Sequence, residues 1–226
     1  MSDPRPRPAD LPEPREAQGL SVKTMRVLFT GTYKWLLATA LRLGLRPMQL
    51  TALSVVTNLI VSALLLSGAR LAPALLLVLA GVFDILDGAV ARQTGRASRW
   101  GGFLDSFLDR VSDLLVLGAL VLHLGRTGDD TLAALALVAL VVSLGVSHVR
   151  AEGEAVGVRM TGGAMQRMER TIAIIAGLAI PGALLPALAL LAALGAFTVL
   201  QRSWTAITGA GATATATDGG GGATRA

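Results

Sequence analysis

The chain has 226 residues, of which 53% are hydrophobic and 15% are charged, with a formal net charge of +5. Soluble domains usually carry about 25% charged residues, so this composition argues against a soluble globular protein. The absence of cysteine excludes disulfides and thiolate metal sites. The few aromatic residues, and basic residues at the ends of apolar segments, favour anionic lipids over nucleic acid as partners.

The two ends of the chain differ in composition from its middle. Residues 1–20 combine prolines with charges, which predicts a disordered tail without a signal peptide. Residues 21–45 mix apolar residues at helical spacing with basic ones, which predicts an amphipathic helix lying on the membrane surface. A helix facing water is the alternative. Residues 204–226 are rich in Gly, Ala and Thr and predict a second disordered tail.

Residues 46–203 form the predicted membrane domain, an all-α fold with six transmembrane helices. A span needs about 20 mostly apolar residues. The predicted spans are Gln49–Ser67, Leu71–Arg92, Gly101–Leu124, Thr131–Val149, Thr171–Leu185 and Pro186–Gln201. The last two are short, and Pro181 and Gly182 would mark the turn between them.

The basic residues are concentrated on one side of this topology. They precede the first span and fill the loops after the second and fourth spans, whereas the opposite side has only Arg70 and Arg126. The positive-inside rule therefore places both termini and these loops in the cytoplasm, as expected of a multi-pass protein of the cell membrane.

Four carboxylates interrupt the second and third spans near their predicted cytoplasmic ends. Asp84 and Asp87 lie one turn apart at the end of the second span, and Asp105 and Asp109 lie one turn apart at the start of the third. Because the two spans are consecutive and joined by a short loop, antiparallel packing would bring both pairs together.

Such carboxylates require compensation. An unpaired carboxylate in a membrane costs about 2.5–3.5 kcal/mol, so four would cost on the order of 10 kcal/mol. Arg92 and Arg110 could neutralise two charges, and oxygen-only ligands for the rest favour Mg²⁺, Mn²⁺ or Ca²⁺. Two ions suit four carboxylates and phosphoryl chemistry, and Gly88 and Gly101 would leave room for a bulky ligand. The plain alternative is a set of salt-bridged helix ends; Asp113, one turn further on, could orient Arg110 or a metal ligand.

The spacing of these residues resembles the signature of the CDP-alcohol phosphotransferase family. All eight fixed positions match, in the pattern Asp84-x₂-Asp87-Gly88-x₂-Ala91-Arg92-x₈-Gly101-x₃-Asp105-x₃-Asp109. The resemblance covers residues 21–202 and implies a surface helix, six transmembrane helices, a homodimer and two Mg²⁺ ions, with Mn²⁺ as an alternative. The implied reaction is displacement of CMP from a CDP-diacylglycerol-like lipid by the hydroxyl of a second alcohol.

The family's site residues carry over by resemblance to matching positions. The implied metal ligands are Asp84, Asp87, Asp105 and Asp109. Asp109 would also act as the general base on the acceptor hydroxyl. The implied CDP-lipid-binding residues are Gly88, Arg92, Ser98 and Gly101.

Four arginines at the cytoplasmic ends of the later spans bear on the acceptor: Arg150, Arg167, Arg170 and Arg202. Arginines from several helices suit a substrate phosphate, although positive-inside anchoring is the alternative for each. The residues around them look like those of the bacterial phosphatidylinositol-phosphate synthases. This chain differs from them at three positions: it has Arg150 where they have Lys, Glu152 where they have Arg, and Met168 where they have Pro. This narrower resemblance favours inositol 1-phosphate as the acceptor.

Other functions remain compatible with parts of this pattern. Glycerol 3-phosphate or a neutral alcohol would use the same chemistry. A divalent-cation transporter would also need intramembrane carboxylates, but it gives no role to Gly88, Arg92 or Gly101. A structural protein that has lost activity would not be expected to keep all four carboxylates.

Overall fold

The computed structural model describes residues 22–158 and 166–218, and side chains over 30–158 and 166–208. The helices are α1 (Val22–Arg42), α2 (Pro47–Leu66), α3 (Leu71–Gln93), α4 (Arg99–Arg126), α5 (Asp130–Ala155), α6 (Arg167–Ala179) and α7 (Leu184–Asp218). These parts contain no β-strand, which confirms the predicted all-α class. The predicted tail at 1–20 lies outside the described residues.

Four of the described helices are long and apolar enough to cross a membrane, namely α2, α3, α5 and the Leu184–Thr208 part of α7. Helix α4 has 28 residues, but Asp105, Asp109, Arg110 and Asp113 interrupt the apolar character of its first half. Helix α6 has 13 residues, which rise about 20 Å and fall short of a hydrocarbon core of about 30 Å. The structure therefore gives four candidate spans where the sequence suggested six.

The helix boundaries differ from the prediction mainly at the C-terminal end. The break between α6 and α7 falls at Pro181 and Gly182, as predicted, and Gly182 has a φ of +79° that favours glycine. Helix α7 continues to Asp218, so residues 204–218 are helical where a disordered tail was predicted. The reason is that extending an existing helix through alanines costs far less than starting one.

Apolar side chains from α2 to α7 form one core. Val61, Leu117 and Leu188 are among its fully buried members. A second cluster packs Leu37 of α1 against Val90 of α3. Burial of these clusters stabilises the bundle and fixes which helix faces turn inward.

The direction of the helices determines where the site lies. Consecutive helices run roughly antiparallel, so the end of α3, the start of α4, the end of α5 and the start of α6 meet at one end of the bundle. Direct packing of α2 on α3 and α4, and of α3 on α6, holds these ends together. The polar residues at these ends therefore converge.

Candidate active site

Three carboxylates converge between α3 and α4. Asp84, Asp105 and Asp109 each place an oxygen within 4.8 Å of the others. Asp105 and Asp109 share one face of α4 because they are four residues apart. Three hard oxygen donors at this separation fit a divalent cation such as Mg²⁺ or Mn²⁺.

Asp87 faces a different neighbour. Its side chain is buried, and its Oδ2 accepts a hydrogen bond from Thr51 Oγ1 of α2 at 2.6 Å. The charges of Asp84 and Asp105 still act on it, but it is outside the group of three. The sequence prediction missed Thr51. A signal was present in the polar residues that recur at helical spacing along apolar α2, namely Thr51, Ser54, Asn58 and Ser62.

The counter-charge of the carboxylate group comes from α6. Arg167 Nη1 lies 2.5 Å from Asp84 Oδ2 and 2.7 Å from Asp109 Oδ1. The sequence prediction placed Arg167 with the acceptor phosphate and expected Arg92 and Arg110 to neutralise the aspartates. The structure differs because the start of α6 lies against α3, a contact between distant parts of the chain that local spacing does not reveal.

Asp113 pairs with a second arginine of α6. Arg170 Nη2 donates to Asp113 Oδ2 at 2.8 Å, and both side chains are largely buried. The suggestion that Asp113 orients Arg110 is therefore wrong. Arg110 instead donates to the backbone carbonyls of Ser106 and Ser147, each at 3.2 Å.

The four residues predicted to bind the CDP-lipid form two local pairs. The Arg92 guanidinium lies over Gly88, where an added Cβ would be 3.2 Å from Nη1. Ser98 caps the N-terminus of α4, and its Oγ accepts from the Gly101 N–H at 3.0 Å. An added Cβ at Gly101 would be 3.2 Å from that oxygen. Glycine thus permits a close approach at both positions.

Three of the predicted acceptor arginines share one neighbourhood. Arg202 of α7 is buried, and its Nη1 donates to the Val146 carbonyl at 3.1 Å. The charges of Arg150 and Arg170 act on its guanidinium. Arg150 is exposed, and its Nε lies 2.9 Å from Glu154 Oε1. Helices α5, α6 and α7 therefore each contribute one arginine to a positively charged cluster.

A cavity of about 250 Å³ opens beside the carboxylates. Its polar wall includes Asp84, Asp109, Asp113 and Arg167, and deeper in the bundle it is lined by apolar residues of α3, α4 and α6. Asn58 of α2 also lines it and donates to Ser112 Oγ at 3.2 Å. The cavity thus joins the carboxylates to the apolar interior.

The same region matches a known family. The model of the CDP-alcohol phosphatidyltransferase family matches residues 45–213, which include every residue of the site described above.

Two curated relatives are similar over most of this region. The archaetidylinositol phosphate synthase of Methanothermobacter thermautotrophicus is 42% identical over 142 residues, which cover 60% of this chain and 70% of the relative. The phosphatidylinositol phosphate synthase of Mycobacterium marinum is 37% identical over 183 residues, which cover 76% of this chain and 78% of the relative.

Solved structures of the Mycobacterium tuberculosis phosphatidylinositol phosphate synthase are similar in fold. The structure with CDP-DAG bound superposes with a TM-score of 0.69 at 33% identity, covering 75% of this chain and 90% of that one. The complex with manganese and citrate gives a TM-score of 0.70 at 33% identity, covering 76% and 87%.

Proposed function

The chain belongs to the CDP-alcohol phosphatidyltransferase family, and on that premise we propose that it joins a CDP-diacylglycerol-like lipid to inositol 1-phosphate. It is a metal-dependent membrane transferase of phospholipid synthesis. In the proposed reaction, the inositol hydroxyl oxygen forms a bond to the phosphorus of the lipid. The phosphoanhydride bond to CMP breaks, and CMP leaves.

The observation that carries this proposal is the convergence of Asp84, Asp105 and Asp109 at the mouth of the cavity. We assign two Mg²⁺ ions, with Mn²⁺ as a substitute, to these three residues together with Asp87. When bound, the ions would neutralise charge on the pyrophosphate and on the departing CMP. Arg167 neutralises part of the charge of Asp84 and Asp109.

Asp109 is the proposed general base. It belongs to the carboxylate group and also lines the cavity, which puts it within reach of both the lipid phosphate and an incoming hydroxyl. Arg167 contacts Oδ1, so we assign the proton of the acceptor hydroxyl to Oδ2. Asp109 would act mainly by its position against that hydroxyl.

The nucleotide end of the lipid is assigned to Gly88, Arg92, Ser98 and Gly101. The absence of a side chain at Gly88 and Gly101 lets Arg92 and Ser98 lie close to the backbone of α3 and α4. Arg92 is exposed at the end of α3 and offers a guanidinium to a phosphate.

The phosphate of the acceptor is assigned to Arg150, Arg170 and Arg202. Arg167, the fourth predicted member, reaches the carboxylates instead. In this proposal it borders both the phosphate site and the metal site. The names of the relatives support inositol phosphate over glycerol 3-phosphate.

The proposed arrangement in the membrane follows the distribution of basic residues. We propose that α4 and α6 complete a set of six transmembrane helices, with residues 46–203 as the membrane domain and with local thinning of the bilayer around the short α6. Helix α1 would lie on the cytoplasmic surface of the cell membrane, with both termini and the active site on that side. We also propose that the enzyme is a homodimer.

The test is CMP release by the purified protein from CDP-diacylglycerol with Mg²⁺, comparing inositol 1-phosphate with glycerol 3-phosphate. Release only with inositol 1-phosphate supports the whole proposal. Release only with glycerol 3-phosphate would keep the mechanism and overturn the acceptor. Absence of release with both would overturn the assigned substrates.

A further inference from the structure

We propose that Asp113 is a positioning residue for this reaction, which holds the Arg170 guanidinium in the orientation that receives the acceptor phosphate. The inference rests on the proposed function, in which Arg170 belongs to the phosphate site. Asp113 lies one turn beyond Asp109 on α4 and is not among the eight fixed positions of the family pattern.

The contact between the two residues is short and shielded. Asp113 Oδ2 accepts from Arg170 Nη2 at 2.8 Å, with side chains that are 14% and 6% exposed. A buried charge-assisted hydrogen bond restricts the rotamers of a long side chain far more than an exposed one does. Asp113 therefore fixes the plane in which the Arg170 guanidinium lies.

That orientation leaves one donor edge of Arg170 available. Its Nε is buried and has no hydrogen-bond partner among the described residues. Buried donors are rarely left unsatisfied, so such an atom calls for a further acceptor, which a bound water, an ion or a substrate oxygen can supply. The charges of Arg150 and Arg170 act on Arg202 together with that of Glu154, and the three arginines outnumber the acidic partners, so an anion is the ligand that this neighbourhood favours. A phosphate oxygen meets both requirements.

Asp113 lines the cavity, and Arg170 pairs with it from α6. Helices α4 and α6 do not pack directly against each other in the described structure. Two ion pairs join them at successive turns, Arg167 with Asp109 and Arg170 with Asp113. Asp113 thereby ties the phosphate-binding arginine to the helix of the proposed base, and so sets the distance from the bound phosphate to the hydroxyl that reacts.

The experiment is a cycle of four full-length proteins: wild type, Asp113→Asn, Arg170→Gln and the double variant. The double variant removes both charges, so no buried charge is left without its partner. Each protein is assayed for CMP release with both substrates varied, and its thermal midpoint is measured in detergent. Thr127→Val, which removes hydrogen bonds to the His123 and Leu124 carbonyls at the C-terminal end of α4, controls for general loosening of α4.

If Asp113 acts through Arg170, Asp113→Asn raises the KM for the acceptor by about tenfold or more, while kcat and the KM for the CDP-lipid change by less than about threefold. In the Arg170→Gln background, the same change has no further effect on the acceptor KM. The Thr127→Val control leaves the acceptor KM unchanged.

Three results would overturn the inference. If the acceptor KM is unchanged in Asp113→Asn but raised in Arg170→Gln, the positioning role of Asp113 is wrong and the phosphate assignment of Arg170 stands. An unchanged acceptor KM in Arg170→Gln would remove the phosphate assignment and the inference together. Increases in both KM values that follow the loss of thermal stability across the four proteins would show a purely structural ion pair.

A second variant covers the case in which Asp113→Asn does not give a monodisperse protein. Asp113→Glu keeps the negative charge, but its side chain is longer by one methylene group and therefore shifts the Arg170 guanidinium. We expect a several-fold higher acceptor KM at an unchanged KM for the CDP-lipid, and an unchanged acceptor KM would contradict the positioning role.

Discussion

Arg167 Nη1 lies 2.7 Å from Asp109 Oδ1, so a guanidinium from α6 contacts the carboxylate that we assign as the general base. The same nitrogen contacts Asp84. A divalent cation would bind to these same two carboxylates. Two unit charges of like sign about 4 Å apart repel by about 4 kcal/mol at an effective dielectric constant of about 20. Arg167 therefore competes with metal at this site.

This competition makes the first prediction. Arg167→Gln should lower the Kd for Mn²⁺ several-fold, because the carboxylates lose a competing positive charge. The measurement is a titration of the purified protein followed by the Mn²⁺ electron paramagnetic resonance signal. The control is Arg126→Gln, which removes the same charge at the opposite end of α4 and should leave the Kd unchanged. A weaker affinity in Arg167→Gln would mean that Arg167 organises the ligands rather than competing for them.

The second prediction concerns Asp109. Asp109→Asn keeps the size of the side chain but removes the basic oxygen, so we expect CMP release to fall by about 10²-fold or more. Binding of the CDP-lipid should survive within a few-fold, as measured by equilibrium binding. Asp129→Asn at the N-cap of α5 is the matched control, since asparagine also caps helices. Normal CMP release from Asp109→Asn would end the general-base assignment.

The sequence predicted the local features of this molecule well. The helical class, the turn at Pro181 and Gly182, and the convergence of Asp84 with Asp105 and Asp109 all follow from spacing along one helix or between consecutive helices. Periodicity within an element is a short-range rule that applies directly to α3 and α4, and both helices pack on α2.

The features that were missed depend on contacts between distant parts of the chain. Arg167 reaches Asp84 across 83 positions, and Thr51 reaches Asp87 across 36. Which arginine pairs with which aspartate depends on how α6 packs against α3. The spacing of residues along the sequence does not determine that packing. The sequence analysis also counted α4 and α6 as spans because each contains an apolar stretch, whereas four charged residues interrupt α4 and α6 has only 13 residues.

The third prediction follows from the hydrogen bond between Thr51 and Asp87. Thr51→Val leaves a buried carboxylate without its donor, which costs about 1–3 kcal/mol. We expect the thermal midpoint in detergent to fall by several degrees and CMP release to decrease. Thr57→Val is the control, since the Thr57 hydroxyl donates to Leu53 on its own helix. Equal shifts in both variants would show that Asp87 does not need Thr51.

The fourth prediction separates the two substrates. Arg202→Ala should raise the KM for the acceptor by about tenfold or more and the KM for the CDP-lipid by less than about threefold, because its guanidinium lies in the α5–α7 arginine cluster. Gln201→Ala, at the exposed neighbouring position, should change neither. Equal increases in both KM values would mean that Arg202 supports the fold and not the acceptor.

The last prediction tests the close approach at Gly88. An added Cβ would lie 3.2 Å from Arg92 Nη1, so Gly88→Ala should shift the guanidinium that we assign to the lipid phosphate by a few tenths of an ångström. We expect the KM for the CDP-lipid to rise several-fold while the acceptor KM stays the same. Gly118→Ala on α4 is the matched control, because an added Cβ there meets nothing within 4 Å. In the Arg92→Ala background, Gly88→Ala should have little further effect, since the side chain it displaces is gone. If Gly88→Ala raises the KM for the CDP-lipid just as much in that background, the methyl group obstructs the nucleotide directly. The effect of Gly88→Ala would then not act through Arg92.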